Sequence, residues 1–591
     1  MPMKSIFNSF AGLSDPFLKH PDFDFQKSYP NHDLSILSWS ITTTILSFFT
    51  LTHLGVLINF VIGSSVSPFI APIALLAALV IGYWLARSEG LCGRLQIALP
   101  AIILAIIAIA LLLAATFFDM SWDGLWYQQT AVYQMSHGWN PLYDPMRGFT
   151  PHLQDWLRHY SKGPWYIALA LFQTTHNIEW SKAAQWMTLA ATFFAVFAVC
   201  IDYEMRRGKS AVIAALVSLN PVVTCQLASY LVDGLLVSFL ACFIAAALRY
   251  FRRQSPTITC VMTTSAILCI NAKFTGLVYL CFFSAAIGLY IIIKRRDMLL
   301  RYAALLIVSY LLGIFLFGYN PYVTNYVHRG HPFYPLMGTA AYPSHGQQGR
   351  DPVVLYETPK NMLGHNVFYR LGYAIFGRPG SQPFFEGDNA RLMWPFDIGW
   401  KDINIFYFHE VRISGFGPLF SGAFIISIFL LIIAMIRPGI PRIIVVLFIG
   451  AILASLMIST HTWWARFAPH FWWLPIAAVI AGLAVPDWRF ARWAAGGLAA
   501  LMLVNATLVA YGHFRWEIEA TRKTYEQLAF LRDKGDVEID LQFFGEPFGE
   551  RLKAGGVTFH ATRRLQGKNP IELMSVAPGY PGAVRACVKD Q

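Results

Sequence analysis

The sequence predicts an all-α polytopic membrane protein. Of its 591 residues, 56% are hydrophobic and only 13% are charged, whereas a soluble domain carries roughly 25% charged residues. The mean hydropathy of the chain is +0.48. Apolar runs of roughly 20 residues, the length that a helix needs to cross a bilayer, recur along most of the chain. Together these observations favour one large helical bundle over several soluble domains.

Thirteen apolar runs are predicted to span the membrane: 36–62, 66–86, 95–117, 183–203, 210–228, 230–249, 257–272, 274–293, 299–317, 416–437, 441–459, 467–485 and 491–513. The run 165–172 is too short to span, and we interpret it as interfacial or re-entrant. If the N-terminus is cytoplasmic, every basic cluster between the spans lies on the cytoplasmic side, as the positive-inside rule requires. These clusters are Arg87/Arg94, Arg206/Arg207/Lys209, Arg249/Arg252/Arg253, Lys294/Arg295/Arg296/Arg301, Arg437/Arg442 and Arg489/Arg492.

This map divides the chain into five parts. They are an N-terminal segment with two additional spans (1–94), a transmembrane core (95–317), a large periplasmic loop (318–415), C-terminal spans (416–513) and a periplasmic tail (514–591). The first periplasmic loop, 118–182, belongs to the core and is expected to hold interfacial helices. The tail has a mixed sequence, "DVEIDLQFFGEPFGERLKAGGVTFHATRRL", which predicts a small α/β unit.

The charged and sulfur-containing residues exclude several classes of function. The net charge is +12, but its basic residues lie in short clusters between apolar runs, so we expect no nucleic-acid partner. The eight cysteines fall mostly inside apolar runs without paired spacing, which is typical of small core residues. The histidines show no His-x-x-x-His spacing, so the sequence predicts no structural metal.

Ionisable residues gather at the predicted outer ends of the spans. Asp119 and Asp123 follow the third span, while Lys273 and Arg466 lie at the ends of later ones. A charged group at membrane depth is costly and is therefore a functional candidate, and arginine binds phosphate bidentately. Each also has a structural interpretation: aspartate caps helices, arginine anchors at the interface by snorkelling, and lysine marks helix ends.

The segment 122–135 has a helical pattern of its own. At 100° per residue, Trp122, Trp126 and Tyr133 fall within about 40° of one another, an aromatic face suited to the headgroup layer. Asp123 falls on an adjacent polar face. Such a helix would hold this carboxylate where lipid headgroups meet water.

Five stretches resemble the GT-C superfamily of membrane glycosyltransferases, in its bacterial branch. "SWDGLWYQQTAVYQMSHGWNP" resembles its first outer loop, and "KGPWYIALALFQTTHNIEWSKAAQW" resembles the element that follows. "NAKFTGL", "GHPFYPLMG" and "WWARFAP" are similar to later elements. The resemblance covers roughly residues 95–485. The chain departs from the pattern in having two spans before the family's first helix, and in having Gln128 where a histidine commonly follows the tyrosine.

The resemblance implies a polyprenyl-phosphate-linked sugar as donor, a lipid or glycan acceptor, and an active site on the periplasmic face of the bacterial inner membrane. The family's catalytic carboxylate maps onto Asp123, with Asp119 as the alternative. Divalent-metal dependence stays open, and no other cofactor is expected. We expect a monomer surrounded by membrane lipids.

Sugar transfer needs a base for the acceptor hydroxyl and positive charge for the departing phosphate. We assign the first role to Asp123 and the second to Arg466 and Lys273; a single displacement would invert the anomeric centre. Loop 318–415 is expected to be the lid, because long loops in compact domains tend to be functional. Weaker candidates for the sugar and acceptor pockets are Tyr127, His137, Trp139, Asp155, Lys162, Glu410 and His461.

Two other classes fit the composition. An O-antigen ligase or polymerase also has many spans and a large periplasmic loop, but typically relies on arginines in that loop. A lipid-linked glycan transporter or flippase would place charges near the midplane on broken helices. The ionisable residues here lie at span ends, which favours the transferase.

Overall fold

The computed structural model describes residues 31–338, 357–380, 389–436, 442–459, 461–485, 488–566, 570–576 and 582–588. The chain is mostly helical and ends in a small sheet. The predicted helical membrane fold is confirmed at this level. Arg437, one of the predicted cytoplasmic basic residues, lies outside the described residues, as do parts of the predicted lid.

The α-helices follow one another along the whole described chain. They are α1 (His32–Val61), α2 (Ile70–Ser88), α3 (Gly93–Thr116), α4 (Gln129–Ser136), α5 (Pro151–His159), α6 (Gly163–Thr175), α7 (Ala183–Asp202), α8 (Arg207–Ser218), α9 (Pro221–Gln226), α10 (Asp233–Arg252), α11 (Pro256–Ala272), α12 (Phe274–Lys294), α13 (Leu299–Leu311), α14 (Thr324–Arg329), α15 (Val367–Phe376), α16 (Trp400–Asn404), α17 (Phe420–Ile436), α18 (Arg442–Met457), α19 (Trp473–Leu483), α20 (Arg489–Lys534) and α21 (Gly545–Ala554). Short π or 3₁₀ turns connect several of them: Gly124–Gln128, Ile178–Lys182, Arg296–Met298, Leu312–Phe317, Tyr319–Val323, Lys360–Met362, Ile405–Tyr407, Ala465–Phe467 and Pro469–Trp472.

Eight helices in the described chain are long and apolar enough to cross a membrane: His32–Val61, Ile70–Ser88, Gly93–Thr116, Ile178–Asp202, Asp233–Arg252, Phe274–Lys294, Arg296–Phe317 and Arg489–Lys534. Each coincides with a predicted span. Four further predicted spans coincide with shorter apolar helices: Pro256–Ala272, Phe420–Ile436, Arg442–Met457 and Pro469–Leu483. The membrane-embedded character is therefore shown, whereas the count of thirteen spans is not confirmed.

The predicted span 210–228 is wrong as a single helix, because it forms α8 and α9 with a break between them. The side chain of Asn220 accepts a hydrogen bond from the Val222 N–H at 3.0 Å, and Pro221 begins α9. A capping residue followed by proline starts a new helix. Asn220 also donates to the Pro469 carbonyl at 2.8 Å, so this break is tied to the turn that precedes α19.

The short run 165–172 lies inside α6, which has only 13 residues. Its side chains from Trp165 to Leu171 are buried, and the helix packs against α1. This segment is therefore part of the protein interior, and it is not one of the spanning-length helices.

Helix α1 packs against α2 and α7, and it buries an unusual number of hydroxyl side chains. Thr42, Thr43 and Thr44 donate hydrogen bonds to carbonyls one turn earlier, at 3.1, 2.7 and 2.8 Å. This local bonding satisfies the hydroxyls of Thr43 and Thr44 within α1, while the hydroxyl of Thr42 also lies 3.1 Å from the Ala191 carbonyl of α7. The polar residues of α1 can therefore lie in the helical core.

The last spanning-length helix, α20, continues past the predicted end of its span to Lys534, so residues 514–534 are helical rather than part of a separate tail. Beyond it, β1 (Val537–Asp540), β2 (Phe559–Ala561), β3 (Ile571–Glu572) and β4 (Arg585–Val588) form a sheet in the order β2-β1-β4-β3. Strands β1 and β2 are parallel, and the other pairs are antiparallel. The predicted small α/β unit is confirmed.

One arginine of α21 fastens the α/β unit to the first loop. Arg551 donates to Glu179 Oε1 at 2.7 Å and to the Asp119 carbonyl at 2.7 Å, and Lys182 pairs with the same glutamate. All of these side chains are buried. Removing one partner of a buried ion pair is strongly destabilising, so this network fixes the position of the loop that carries Asp119 and Asp123.

Candidate functional site

A cavity of about 680 Å³ lies between the first loop and the later helix ends. Its walls come from the Gly124–Gln128 turn, from α5, from the starts of α10 and α12, and from the chain after α18. Among the described residues its charged or titratable lining consists of Asp123, His152, Asp233, Lys273, Glu357, Glu410, Arg412, His461 and Arg466, together with the tyrosines 127, 160 and 279. Six of the predicted site residues therefore line one cavity: Asp123, Tyr127, Lys273, Glu410, His461 and Arg466.

The central contact joins the two residues to which the sequence assigned the chemistry. Arg466 Nη1 donates to Asp123 Oδ2 at 2.9 Å, across 343 positions of sequence. Asp123 immediately precedes the Gly124–Gln128 turn, but its side chain makes no capping hydrogen bond. Its side chain is 18% exposed, and that of Arg466 is 9% exposed. The carboxylate thus faces the cavity as an ion-pair partner rather than a helix cap.

The surroundings raise the pKa of Asp123 to about 6. Burial is the largest cause, because it penalises the charged carboxylate. Arg466 lowers the pKa by stabilising that charge, whereas the nearby carboxylates of Glu410 and Glu357 raise it. A carboxylate that titrates near neutral pH is well suited to accept a proton from a hydroxyl group.

Aromatic rings hold the guanidinium of Arg466 in place. Its Cζ lies 4.3 Å from the ring centre of Trp464 and 5.1 Å from that of Phe467. Trp464 also stacks with Arg412, at 4.1 Å, and its indole N–H donates to the Glu410 carbonyl at 2.8 Å. Cation–π contacts of this kind orient arginine while leaving its charge intact.

Glu410 and Arg412 flank a strained residue. Val411 between them has φ +42°, a left-handed conformation that is an outlier for a β-branched side chain. Arg412 Nη2 pairs with Glu410 at 2.8 Å and with Glu357 at 2.9 Å. Backbone strain of this kind typically costs about 1–3 kcal/mol and clusters at functional sites; here the strained residue lies between two charged side chains that both line the cavity.

Lys273 lies where α11 gives way to α12, in extended backbone with φ −163°. Its ammonium group contacts Asp233 Oδ1 at 2.6 Å and lies 4.5 Å from the ring centre of Phe467. Gln226 donates to the other oxygen of Asp233 at 3.2 Å. Lys273 is therefore a second fixed cation beside the aromatic wall that holds Arg466.

Each carboxylate that lines the cavity among the described residues is paired with a basic side chain. Asp123 pairs with Arg466, Asp233 with Lys273, and the two glutamates share Arg412. An anion that enters the cavity must therefore compete with a carboxylate for its cation.

Aromatic rings form much of the remaining wall. Tyr127 stacks on Trp156 with ring centres 5.6 Å apart, and it meets Tyr160 edge-on at 5.6 Å. His461 contacts the ring of Phe467 at 5.1 Å. Flat rings beside charged groups suit a ligand with both apolar faces and hydroxyl groups.

Asp119 lies outside the cavity, although it is close in sequence to Asp123. Its buried carboxylate accepts hydrogen bonds from the Ser121 N–H and hydroxyl, from the Gln129 amide and from the Tyr230 N–H, at 2.6–3.1 Å. Gly124 is required beside it, because an added Cβ would lie 2.2 Å from Asp119 Oδ2. These hydrogen bonds give Asp119 a structural role, in which it joins the turn to the chain before α10.

Four other predicted pocket residues also lie away from the cavity lining: His137, Trp139, Asp155 and Lys162. His137 is exposed and stacks on Tyr133, and the indole of Trp139 donates to the Asp144 carbonyl at 3.2 Å. Lys162 is buried and donates to the Tyr160 carbonyl at 2.6 Å. Their position on the predicted outer side was therefore not enough to bring them together with Asp123.

Three charged lining residues were not assigned to the site from the sequence: Asp233, Glu357 and Arg412. Asp233 is the first residue of α10, and Lys273 immediately precedes α12. Since both are charged residues at helix starts, the sequence could have predicted that they pair. Arg412 lies in a polar loop, where nothing local distinguishes it from neighbouring charges. Glu357 lies in the same predicted lid, and only the structure shows its contact with Arg412.

No protein-family model matches the chain, and a search of curated proteins also returned no match. The GT-C resemblance therefore stays a sequence-based prediction.

Proposed function

We propose that the chain is an integral-membrane glycosyltransferase that moves a sugar from a polyprenyl-phosphate-linked donor to a lipid or glycan acceptor at the periplasmic face. The observation that carries this proposal is the contact between Asp123 and Arg466. It puts a carboxylate of raised pKa beside a fixed cation, on the wall of an aromatic cavity of about 680 Å³. Sugar transfer needs a base for the acceptor hydroxyl proton and a cation for the departing phosphate, and this contact supplies the two groups side by side.

In the proposed reaction the acceptor hydroxyl attacks the anomeric carbon of the donor sugar. Asp123 takes the hydroxyl proton as the new carbon–oxygen bond forms, and the bond between the anomeric carbon and the phosphate oxygen breaks. The polyprenyl phosphate leaves as an anion on Arg466, with Lys273 nearby. A single displacement inverts the anomeric centre.

The charge pairing couples donor binding to the strength of the base. Arg466 lowers the pKa of Asp123 in the free protein. When a phosphate occupies the guanidinium, that stabilisation of the carboxylate weakens, and the carboxylate becomes a stronger base. The base is thus strengthened when the donor is present.

The remaining lining residues fit supporting roles in this scheme. Tyr127, Glu410 and His461 lie where they can shape the sugar and acceptor pockets. The apolar side chains of Val278, Leu336 and Ile458 supply a wall for a prenyl chain. Leu336 and Glu410 belong to the predicted lid 318–415, which therefore contributes to the cavity.

The test is transfer from radiolabelled polyprenyl-phosphate sugars by the purified full chain. Asp123→Asn is expected to reduce transfer roughly 10²–10⁴-fold, the usual contribution of a positioned general base. Asp144→Asn is the matched control, because Asp144 is an exposed carboxylate of the same loop outside the cavity, and it should retain wild-type transfer. Full transfer by Asp123→Asn would remove the assigned base, and no transfer by the wild type from any polyprenyl-phosphate sugar would overturn the proposed function.

A further inference from the structure

A second polar cluster lies outside the cavity, between α20 and the chain that follows the Ile405–Tyr407 turn. His409 comes from that chain, while His513 and Glu517 are one turn apart on α20. Their side chains are at most 1% exposed. His409 Nε2 is 2.8 Å from Glu517 Oε1, and His513 Nε2 is 3.9 Å from the same oxygen. One potential ligand atom from each side chain lies within 4.8 Å of the others.

Most of the hydrogen-bonding capacity of this cluster is unused. Both carboxylate oxygens of Glu517, both ring nitrogens of His409 and Nε2 of His513 make no hydrogen bond within the described chain. A buried carboxylate with no hydrogen bond is costly unless a cation compensates it. His409 Nε2 and Glu517 Oε1 form an ion pair when the imidazole is protonated, but their contact lacks the geometry of a hydrogen bond.

The orientation of His513 aims one nitrogen into the cluster. Its Nδ1 lies 3.0 Å from the Phe406 carbonyl, and because a carbonyl only accepts, Nδ1 carries the proton. Nε2 then presents a lone pair toward Glu517. A histidine that donates one N–H to a backbone carbonyl and offers its other nitrogen is the usual arrangement of a metal-ligating histidine.

We propose that His409, His513 and Glu517 bind a divalent transition-metal ion of the zinc type. Two imidazoles and one carboxylate are a common zinc ligand set, and zinc–ligand bonds of about 2.0–2.1 Å place tetrahedral ligand atoms roughly 3.4 Å apart. The two separations from Glu517, 2.8 and 3.9 Å, lie on either side of that value, and all three ligand atoms lie within 4.8 Å of one another, so side-chain movements would complete the site. A fourth position is left for water.

The ion would tie α20 to the chain that enters the cavity. His409 is the neighbour of Glu410, which lines the cavity and pairs with Arg412. Binding of the metal would therefore hold the Glu410 backbone against α20. This role is structural, and it does not depend on the reaction that the cavity carries out.

The test is the zinc content of the full chain, purified in detergent without chelators and measured by mass spectrometry. We expect about one zinc per chain for the wild type and a reduction of roughly tenfold or more for Glu517→Gln and His513→Gln. His53→Gln is the matched control, because His53 is a fully buried histidine of α1 outside the cluster, and it should keep its zinc. Metal that persists in both cluster variants would overturn the proposal.

A second measurement covers variants that fail to fold. Wild-type protein stripped with a chelator is titrated with Co²⁺, and the intense visible bands of tetrahedral cobalt are expected at one equivalent. Removal of zinc should also lower the melting temperature of the wild type, and added zinc should restore it. Wild-type protein that binds neither zinc nor Co²⁺ would refute the site. Since neither measurement uses sugar transfer, a failure here leaves the proposed function untouched.

Discussion

Replacing Arg466 with glutamine should move the acidic limb of the pH profile of sugar transfer to higher pH. Asp123 acts as a base only when it is ionised. In the wild type, kcat/KM should therefore decrease as the pH drops below the Asp123 pKa of about 6. Arg466 lowers that pKa, and glutamine lacks the charge that does so. The limb of the variant should therefore lie above that of the wild type, in addition to any overall loss of rate.

The size of the displacement follows from the ion-pair geometry. The Arg466 Nη1–Asp123 Oδ2 distance is 2.9 Å, and Coulomb's law at this separation gives about 1.4 kcal/mol at the dielectric constant of water. Because 1.36 kcal/mol corresponds to one pH unit, the limb should rise by at least about one pH unit. Burial lowers the effective dielectric constant and makes the displacement of the limb larger. The 18% exposure of the Asp123 side chain keeps the expected displacement close to one pH unit.

The assay is kcat/KM for the polyprenyl-phosphate sugar at pH values from roughly 5 to 9, because this parameter reports the free enzyme. Arg378→Gln is the control: Arg378 pairs with Asp397 at 2.8 Å away from the cavity, so its profile should match the wild type. An unchanged limb in Arg466→Gln, or one displaced to lower pH, would refute the ion-pair reasoning.

Three further outcomes test the network around the cavity. Asp123→Asn should bind polyprenyl phosphate more tightly, roughly tenfold, because its arginine partner is released; weaker binding in a fluorescence titration would contradict competition between the two anions. Lys273→Met should lower the free energy of unfolding by about 3–5 kcal/mol, since it leaves Asp233 buried without its cation; the double variant with Asp233→Asn should recover much of this loss in thermal unfolding, and a double variant as unstable as the single one would contradict the pairing. Arg551→Gln should make the C-terminal α/β unit more sensitive to limited proteolysis, because the contact with Glu179 is lost, and unchanged cleavage rates would argue against that anchor.

The spanning helices could be predicted because their signal is local. Each of the eight long helices is a continuous apolar run, and its length and composition are visible in the sequence without knowledge of its neighbours. The failure at 210–228 has a local cause too, since Asn220 and Pro221 form a start signal inside an apolar run that hydropathy alone passes over. The extension of α20 to Lys534 was missed because polar helix and polar tail have similar composition.

The candidate site was only partly predictable, because its members meet through the tertiary fold. Asp123 and Arg466 were each chosen for their chemistry and predicted depth, but their direct contact joins elements that are far apart in sequence. Trp122 was predicted to face lipid headgroups, yet it packs against Phe543 and Phe544 of the α/β unit, at 5.5 and 5.1 Å. Helical periodicity identifies an aromatic face but not what covers that face.

The choice between the two aspartates now depends on what each carboxylate does. Asp119 is engaged by four hydrogen bonds from neighbouring groups, so taking up a proton would disrupt the loop it organises. The carboxylate of Asp123 is instead paired with a cation, Arg466, which a phosphate can take over. A base must change its protonation state during each turnover, and only Asp123 can do so without breaking a structural network. The contact that stabilises the resting carboxylate is thus the same contact that donor binding would weaken.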